Sequence, residues 1–214
     1  MKKLLVLVLT LGLLISSASL VSAEALFGVS AETGEVDFSA VYGGDAAHDF
    51  NESSKMLMLN GELNLVLTRL YFEYSRTELD QASFSSYGLK TGWEVGPGIL
   101  KAQLLGGLQG YRFEDDTYPD LGRNSVIGLV GGVGLESKIG PVKIYGSALV
   151  PLLVRSSSDL DTDNSSGIEN YCVGLSYAPL PLVDIFANYR RIKVESDFLQ
   201  LKSEGYSVGA KLSF

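Results

Sequence analysis

The chain is poor in the residues that carry most metal and relay chemistry. Its 214 residues include one cysteine and one histidine. A single cysteine excludes an intrachain disulfide framework and a Cys-based zinc cluster. A single histidine removes His-rich metal sites and most proton-relay arrangements. Long apolar runs are scarce too. Beyond the first segment, nothing has the ~20 apolar residues that a membrane-crossing helix needs. Basic charge is in deficit, with 17 Lys and Arg against 25 Asp and Glu, a formal net charge of −8. Nonspecific nucleic-acid binding needs a basic surface, so no nucleic-acid partner is expected. Hydrophobic residues are 46% and charged residues 20%, a balance that fits neither disorder nor a charged coiled coil.

What is present first is a segment that is not fold. Met1–Ala23 places Lys2 and Lys3 before the apolar run Leu4–Leu14 and ends in Val21-Ser22-Ala23. A positive start, a short apolar stretch and a small-residue box make a Sec signal peptide, expected to be cleaved. The expected mature domain is Glu24–Phe214. No cysteine follows the cut site, so a lipoprotein anchor is not indicated. Mean hydropathy is nevertheless positive, at +0.18. Something other than helices has to absorb the apolar residues.

The apolar residues recur with a period of two, the signature of strands. Tyr206, Val208, Ala210, Leu212 and Phe214 alternate with Ser207, Gly209, Lys211 and Ser213. Tyr87, Leu89, Thr91, Trp93 and Val95 alternate with Gly88, Lys90, Gly92 and Glu94. Similar runs occupy 57–65, 70–75, 171–177 and 183–190. Ten candidate strands follow, at about 35–43, 56–66, 69–77, 83–95, 99–113, 124–137, 142–154, 168–178, 183–194 and 204–214. Eight is the alternative if one hairpin is discarded. Leu26–Ala31 either extends the first strand through a bulge or stands apart. Short turns at Gly96-Pro97-Gly98, Lys138–Pro141 and Ala178–Pro181 are punctuated by Gly and Pro. They alternate with longer polar connections at Gly43–Lys55, Thr77–Ala82, Glu114–Arg123, Arg155–Gly167 and Glu195–Ser203. Three strands restart alike, with Arg69-Leu70-Tyr71, Lys143-Ile144-Tyr145 and Asp184-Ile185-Phe186.

Alternation suits a soluble sandwich with its apolar face inward, or a membrane barrel with that face on lipid. The polar face decides for the barrel. It is rich in glycine, and its charges nearly balance: Glu35, Asp37, Glu62, Glu73, Glu94, Glu136 and Asp184 against Arg69, Lys90, Lys101, Lys143, Arg190 and Lys211. A confined interior requires such pairing, since an unpaired charge there is costly. Tyr42, Tyr74, Tyr87, Tyr171, Tyr189 and Tyr206 fall towards one rim, and Trp93, Tyr177 and Phe214 towards the other. Aromatic girdles sit at both interfaces of membrane barrels. The fold expected is all-β, a closed antiparallel up-and-down transmembrane barrel.

On these features the chain resembles the small Gram-negative-type outer-membrane β-barrels of the OmpA-barrel and OmpX-like group, over essentially all of Glu24–Phe214. Ten strands depart from the eight of that group. The resemblance implies an outer-membrane location, contact with outer-membrane lipid, and insertion by the barrel-assembly machinery. That machinery reads a last strand ending in an aromatic residue, here Tyr206, Val208, Ala210, Leu212 and Phe214.

Candidate chemistry is thin. His48 beside Asp49 has the makings of a base with an orienting carboxylate, but no nucleophile motif accompanies it. Asp159, Asp161 and Asp163 recur at calcium-loop spacing, yet Asn164 stands where that loop requires Gly and Asn170 where it requires Glu. These residues and Glu114, Asp115, Asp116 and Asp120 read as solvated acidic loops, repelled by anionic lipopolysaccharide unless cations bridge them. Cys172 reads as an inward filler. Gly128, Gly131, Gly132 and Gly134 lack the strand–turn–helix setting of a nucleotide loop and read as barrel wall. No cofactor, metal or catalytic residue is expected. The first functional reading is a structural or surface-interaction barrel, with an unidentified extracellular ligand. The alternatives are a narrow porin-like pore and, behind it, a rim enzyme.

Overall fold

The computed structural model describes residues 26–42, 48–65, 68–80, 82–96, 99–115, 123–157, 162–163, 167–195 and 199–214. The segment Met1–Ala23, expected from the sequence to be a signal peptide, lies outside the described residues. Strands run as β1 (Phe27–Tyr42), β2 (His48–Asn64), β3 (Thr68–Glu78), β4 (Ala82–Val95), β5 (Leu100–Asp115), β6 (Arg123–Ile139), β7 (Val142–Ser157), β8 (Thr162–Asp163), β9 (Gly167–Leu180), β10 (Val183–Glu195) and β11 (Leu199–Ser213). Each long strand pairs antiparallel with its neighbours in sequence, β7 meets β9, and β1 meets β11. Ten strands therefore close into an up-and-down barrel, and the two-residue β8 pairs only with the end of β7. Phe27 and Phe214 seal the seam by exchanging backbone hydrogen bonds of 3.1 and 2.7 Å. Closure leaves no sheet edge, which a lipid-embedded backbone requires.

Matched residues climb as they pass around the ring. Starting at Ile144 on β7, the register runs through Leu175, Ala187, Val208, Thr33, Leu57, Arg76, Ser85, Arg112 and Ser125, and returns to β7 at Ser157. Such stagger tilts strands by about 35–45°. A single bulge interrupts the β6–β7 register at Leu129/Val130, opposite Pro151 on β7. Proline lacks the donor that a regular rung needs, so a bulge is where a wall strand tolerates it. The start of β1 and the end of β11 lie at the same end as the β2–β3, β4–β5, β6–β7 and β9–β10 connections. Gly140, at φ +60, makes the Ile139–Val142 turn, a backbone region open to glycine.

The structure corrects the strand limits read from the sequence. β1 begins at Phe27 and pairs without a register break to Tyr42, so Leu26–Ala31 is neither bulged nor separate material. Much of the expected Gly43–Lys55 connection is strand, from His48 onward. The Thr77–Ala82 connection is a tight hairpin closed by Leu79 N donating to Ala82 O at 2.9 Å. The wall strands, of 11 to 17 residues, meet or exceed the ~9–11 that span a bilayer. Local polarity misled because the polar stretches sit where strands leave the membrane and face water.

Candidate lumen site and aromatic belt

The strands are amphipathic, and their polarity inverts partway along. Near the short turns the outward face is apolar: Leu57, Leu59, Phe72, Leu89, Trp93, Leu104, Val133, Ile144, Val173 and Leu212 are all exposed. At an average rise of about 3.3 Å and a tilt near 40°, this belt is about 20–30 Å tall, against ~25 Å for a membrane barrel. Aromatics mark its upper margin. Tyr74 lies opposite Tyr87, and Tyr189 packs on Tyr206 with ring centroids 5.0 Å apart. Tyr171 is exposed on β9. Trp93, Tyr177 and Phe214 are exposed near the lower margin. Both expected girdles are thus in place, except that the side chain of Tyr42 lies outside the described residues. Above the belt the outward positions become Glu35, Lys55, Arg76, Arg112, Arg155, Glu169, Arg191 and Glu204, each exposed or half-exposed.

The lumen inverts in the opposite sense. Its long-loop half is a hydrophobic core of Phe38, Ala40, Phe84, Tyr111, Phe113, Val126, Ile168, Ile192, Val194 and Leu201. Phe38 stands 5.2 Å from Phe84 and 5.8 Å from Phe113 between ring centroids, and Phe84 stacks on Tyr111 at 6.0 Å. Such a core is expected of a strand pair surrounded by water, and it fills the lumen where the wall rises above lipid. Its lower boundary is polar: the Tyr111 hydroxyl donates to Gln109 (3.0 Å), and Gln109 donates to Glu73 (2.7 Å).

Below that boundary lie the charges, in two groups. In the upper group Lys90 donates to Glu73 at 2.6 Å, and Arg190 bridges Glu73 and Glu32 at 3.7 and 3.8 Å. Glu32 also accepts from Ser207 (2.6 Å), Asn188 (2.9 Å) and Asn60 (3.1 Å). Four strands thus converge on one carboxylate that is 2% exposed. In the lower group Arg69 contacts Glu94 at 2.9 Å, Glu62 at 3.7 Å and Glu136 at 4.0 Å. Lys101 meets Glu94 at 3.1 Å, Lys211 meets Glu62 at 2.6 Å, and Lys143 meets Glu136 at 3.9 Å. A cavity of about 230 Å³ lies here, lined by residues such as Arg69, Tyr71, Lys143, Asp184 and Lys211. Above the belt and outside the membrane, the hydrogen bond from Lys202 holds the Glu204 carboxyl below its ordinary range.

Eleven lumen residues named from the sequence lie on the inward face: Glu62, Arg69, Glu73, Lys90, Glu94, Lys101, Glu136, Lys143, Asp184, Arg190 and Lys211. Asp184 lines the cavity beside Lys211 but makes no ion pair within 4 Å among the described residues. Glu35 and Asp37 do not belong to the lumen. They are exposed on the outer face, because the inward phase of β1 runs through Glu32, Val36 and Phe38. Glu32 takes their place, and six acids then face six bases. Its signal was the inward Gly28, Ser30, Glu32 alternation, hidden once β1 was begun at residue 35. Cys172 lines the cavity and is half-buried. His48 pairs in backbone register with Tyr42, and its side chain lies outside the described residues. So does the Asp159–Asn164 segment, apart from the backbone of Thr162–Asp163.

A closed ten-stranded barrel with a lipid-facing belt, paired lumen charges and aromatic margins defines an outer-membrane β-barrel. No protein-family model and no curated protein matches the chain. Among solved structures, an outer membrane channel from Pseudomonas putida F1 is similar over 91% of this chain and 97% of that one, at 10% identity and a TM-score of 0.53. The outer membrane protease OmpT from Escherichia coli is similar over 92% and 99%, at 9% identity and a TM-score of 0.49. Neisserial surface protein A is similar over 90% and 100%, at 15% identity and a TM-score of 0.47. The channel's likeness carries the fold alone. In kind the chain is a small outer-membrane barrel resembling the OmpA-barrel and OmpX-like group, with ten strands in place of eight.

Proposed function

We propose that this barrel is a non-enzymatic envelope protein with a structural or surface-interaction role. The carrying observation is the filled lumen. Phe38, Phe84, Tyr111, Phe113, Ile168 and Val194 are at most 2% exposed and lie between the polar cavity and the long-loop end. A continuous water path is incompatible with a core packed like a protein interior. The wall that encloses this core rises above the belt and carries charges on its outer face, which gives a rigid platform for contacts outside the cell. All the lumen charges named above except Asp184 are engaged with one another, which favours a structural role for them. The partners that follow are outer-membrane lipid, the barrel-assembly machinery acting on the Tyr206–Phe214 strand, and a ligand on the raised rim.

A narrow pore is the second reading, favoured by the polar cavity at the short-turn end; it requires the aromatic core to part. Planar-bilayer recordings on the reconstituted full chain test the choice. The filled lumen predicts no stable conductance steps. Reproducible steps of one size would replace the structural reading with the pore.

A further inference from the structure

We infer that one side of the barrel holds the phosphate headgroups of outer-leaflet lipid. The inference rests on the reading above that the raised wall faces outside the cell, which puts the short-turn end at the periplasm. On β2 to β7, the first polar outward residue above the belt is Lys55, Arg76, Ser85, Arg112, Ser125 and Arg155 in turn. That is four cations and two hydroxyls, with no carboxylate. Arg76, Ser85, Arg112 and Ser125 are consecutive cross-strand partners, so they form one row on adjoining strands. The corresponding position is Glu169 on β9, Glu204 on β11 and Glu35 on β1, with Arg191 on β10 between them. The first row of the arc is therefore free of carboxylates, whereas the other side mixes three glutamates with Arg191; Lys55 ends the arc opposite Glu35.

The row sits where phosphates sit. It lies directly beyond Tyr74 and Tyr87, two residues along their own strands, and those rings mark the interface. Arg76 and Arg112 are about half exposed, and each is met by a carboxylate one step farther from the membrane, Glu78 at 3.4 Å and Glu114 at 2.5 Å. A guanidinium carries five donors in a fork that matches phosphate oxygens, so one such pair leaves most of it available. Exposed pairs of this kind are weak, and a dense phosphate layer competes with them. The other side mixes Arg191, Lys193 and Lys202 with Glu35, Asp37, Glu169, Glu195 and Glu204, so phosphate-bearing lipid is drawn more strongly to the arc.

The test is retention of lipid A, a phosphate-bearing lipid, by the full chain. The folded protein is reconstituted in phosphatidylcholine with and without lipid A, extracted mildly, and weighed by native mass spectrometry. The variants are the triple Arg76→Gln, Arg112→Gln, Arg155→Gln and a control triple on the other side, Arg191→Gln, Lys193→Gln, Lys202→Gln. Each basic residue at a membrane surface contributes roughly a factor of five, so the first triple should bind lipid A roughly a hundredfold less tightly. The control, whose three cations sit among Glu195 and Glu204, should lose less than about fivefold, and Ser85→Arg should hold lipid A more tightly. A heat-dependent mobility shift, checked for every variant, separates loss of the site from failure of the barrel itself. Equal losses in both triples, or equal retention of dephosphorylated lipid A by the parent chain, would overturn the site. Competition by inorganic phosphate alone at like concentration would also overturn it, since a free anion would then suffice.

Discussion

Glu32 shows how much one inward position decides. Its carboxylate accepts from Ser207, Asn188 and Asn60 and sits near Arg190, so strands β1, β2, β10 and β11 depend on it. Removing one partner from a buried charge pair typically costs about 3–5 kcal/mol, because the other is left uncompensated. Glu32→Ala is therefore expected to lower the unfolding free energy of the vesicle-folded protein, read from urea titration, by that order. Glu35→Ala, three residues on and exposed to water, is expected to change it by less than about 0.5 kcal/mol. The reverse ranking would mean that β1 has the opposite phase. Position 32 was missed from the sequence because a strand's side-chain direction is set by its first paired residue. Starting β1 at residue 35 left that direction to be guessed from polarity alone. Glu35 and Asp37 are as polar as Glu32, and only pairing tells a lumen charge from one above the membrane.

Pairs of strands are locked by aromatic rings laid over glycines. The three similar strand starts all use this device. Tyr71 packs over Gly92 on β4, Tyr145 over Gly174 on β9, and Phe186 over Gly209 on β11. A Cβ at Gly174 would stand 2.5 Å from the Tyr145 ring, and one at Gly209 would stand 2.6 Å from the Phe186 ring. The Tyr145 ring has little room to move, since its hydroxyl donates to Asn188 at 2.5 Å. Overpacking of this kind costs about 1–3 kcal/mol, so Gly174→Ala should be destabilising by that amount. Gly167→Ala, with nothing within 4 Å, should be near neutral in the same unfolding experiment. Equal effects would argue that strand propensity, not ring packing, fixes these glycines. Alternation and turn residues made the elements and their inward faces readable for β3, β4, β9, β10 and β11. The motif of a charge, an aliphatic and an aromatic was visible too. Its purpose was not, because each glycine lies 21 to 29 residues away in sequence and only register brings it under the ring. The ends of β2 and β11 were unreadable for another reason. Strand segments exposed to water on the outside look like loops in composition.

Over the whole molecule, two amphipathic barrels are stacked in one set of strands. The lower half has lipid outside and paired charges inside. The upper half has water outside and a hydrophobic core inside. Each half follows from what surrounds it, and the tyrosine ring is the line of exchange. This arrangement makes the wall continuous while closing the lumen, which is why a silent barrel is expected in the conductance experiment. It also raises charged side chains to the height of lipid headgroups without exposing an edge. The sequence contains a single tryptophan, and Trp93 lies on the outward face near the short-turn margin, 46% exposed. It is a built-in reporter for the central claim that the apolar belt faces lipid. The decisive measurement is Trp93 fluorescence in vesicles of lipids brominated at different depths along the acyl chain. The account predicts strong quenching, greatest for bromines nearest the headgroup and weaker towards the bilayer centre. An emission indifferent to every brominated lipid would put Trp93 away from the acyl chains and contradict the account.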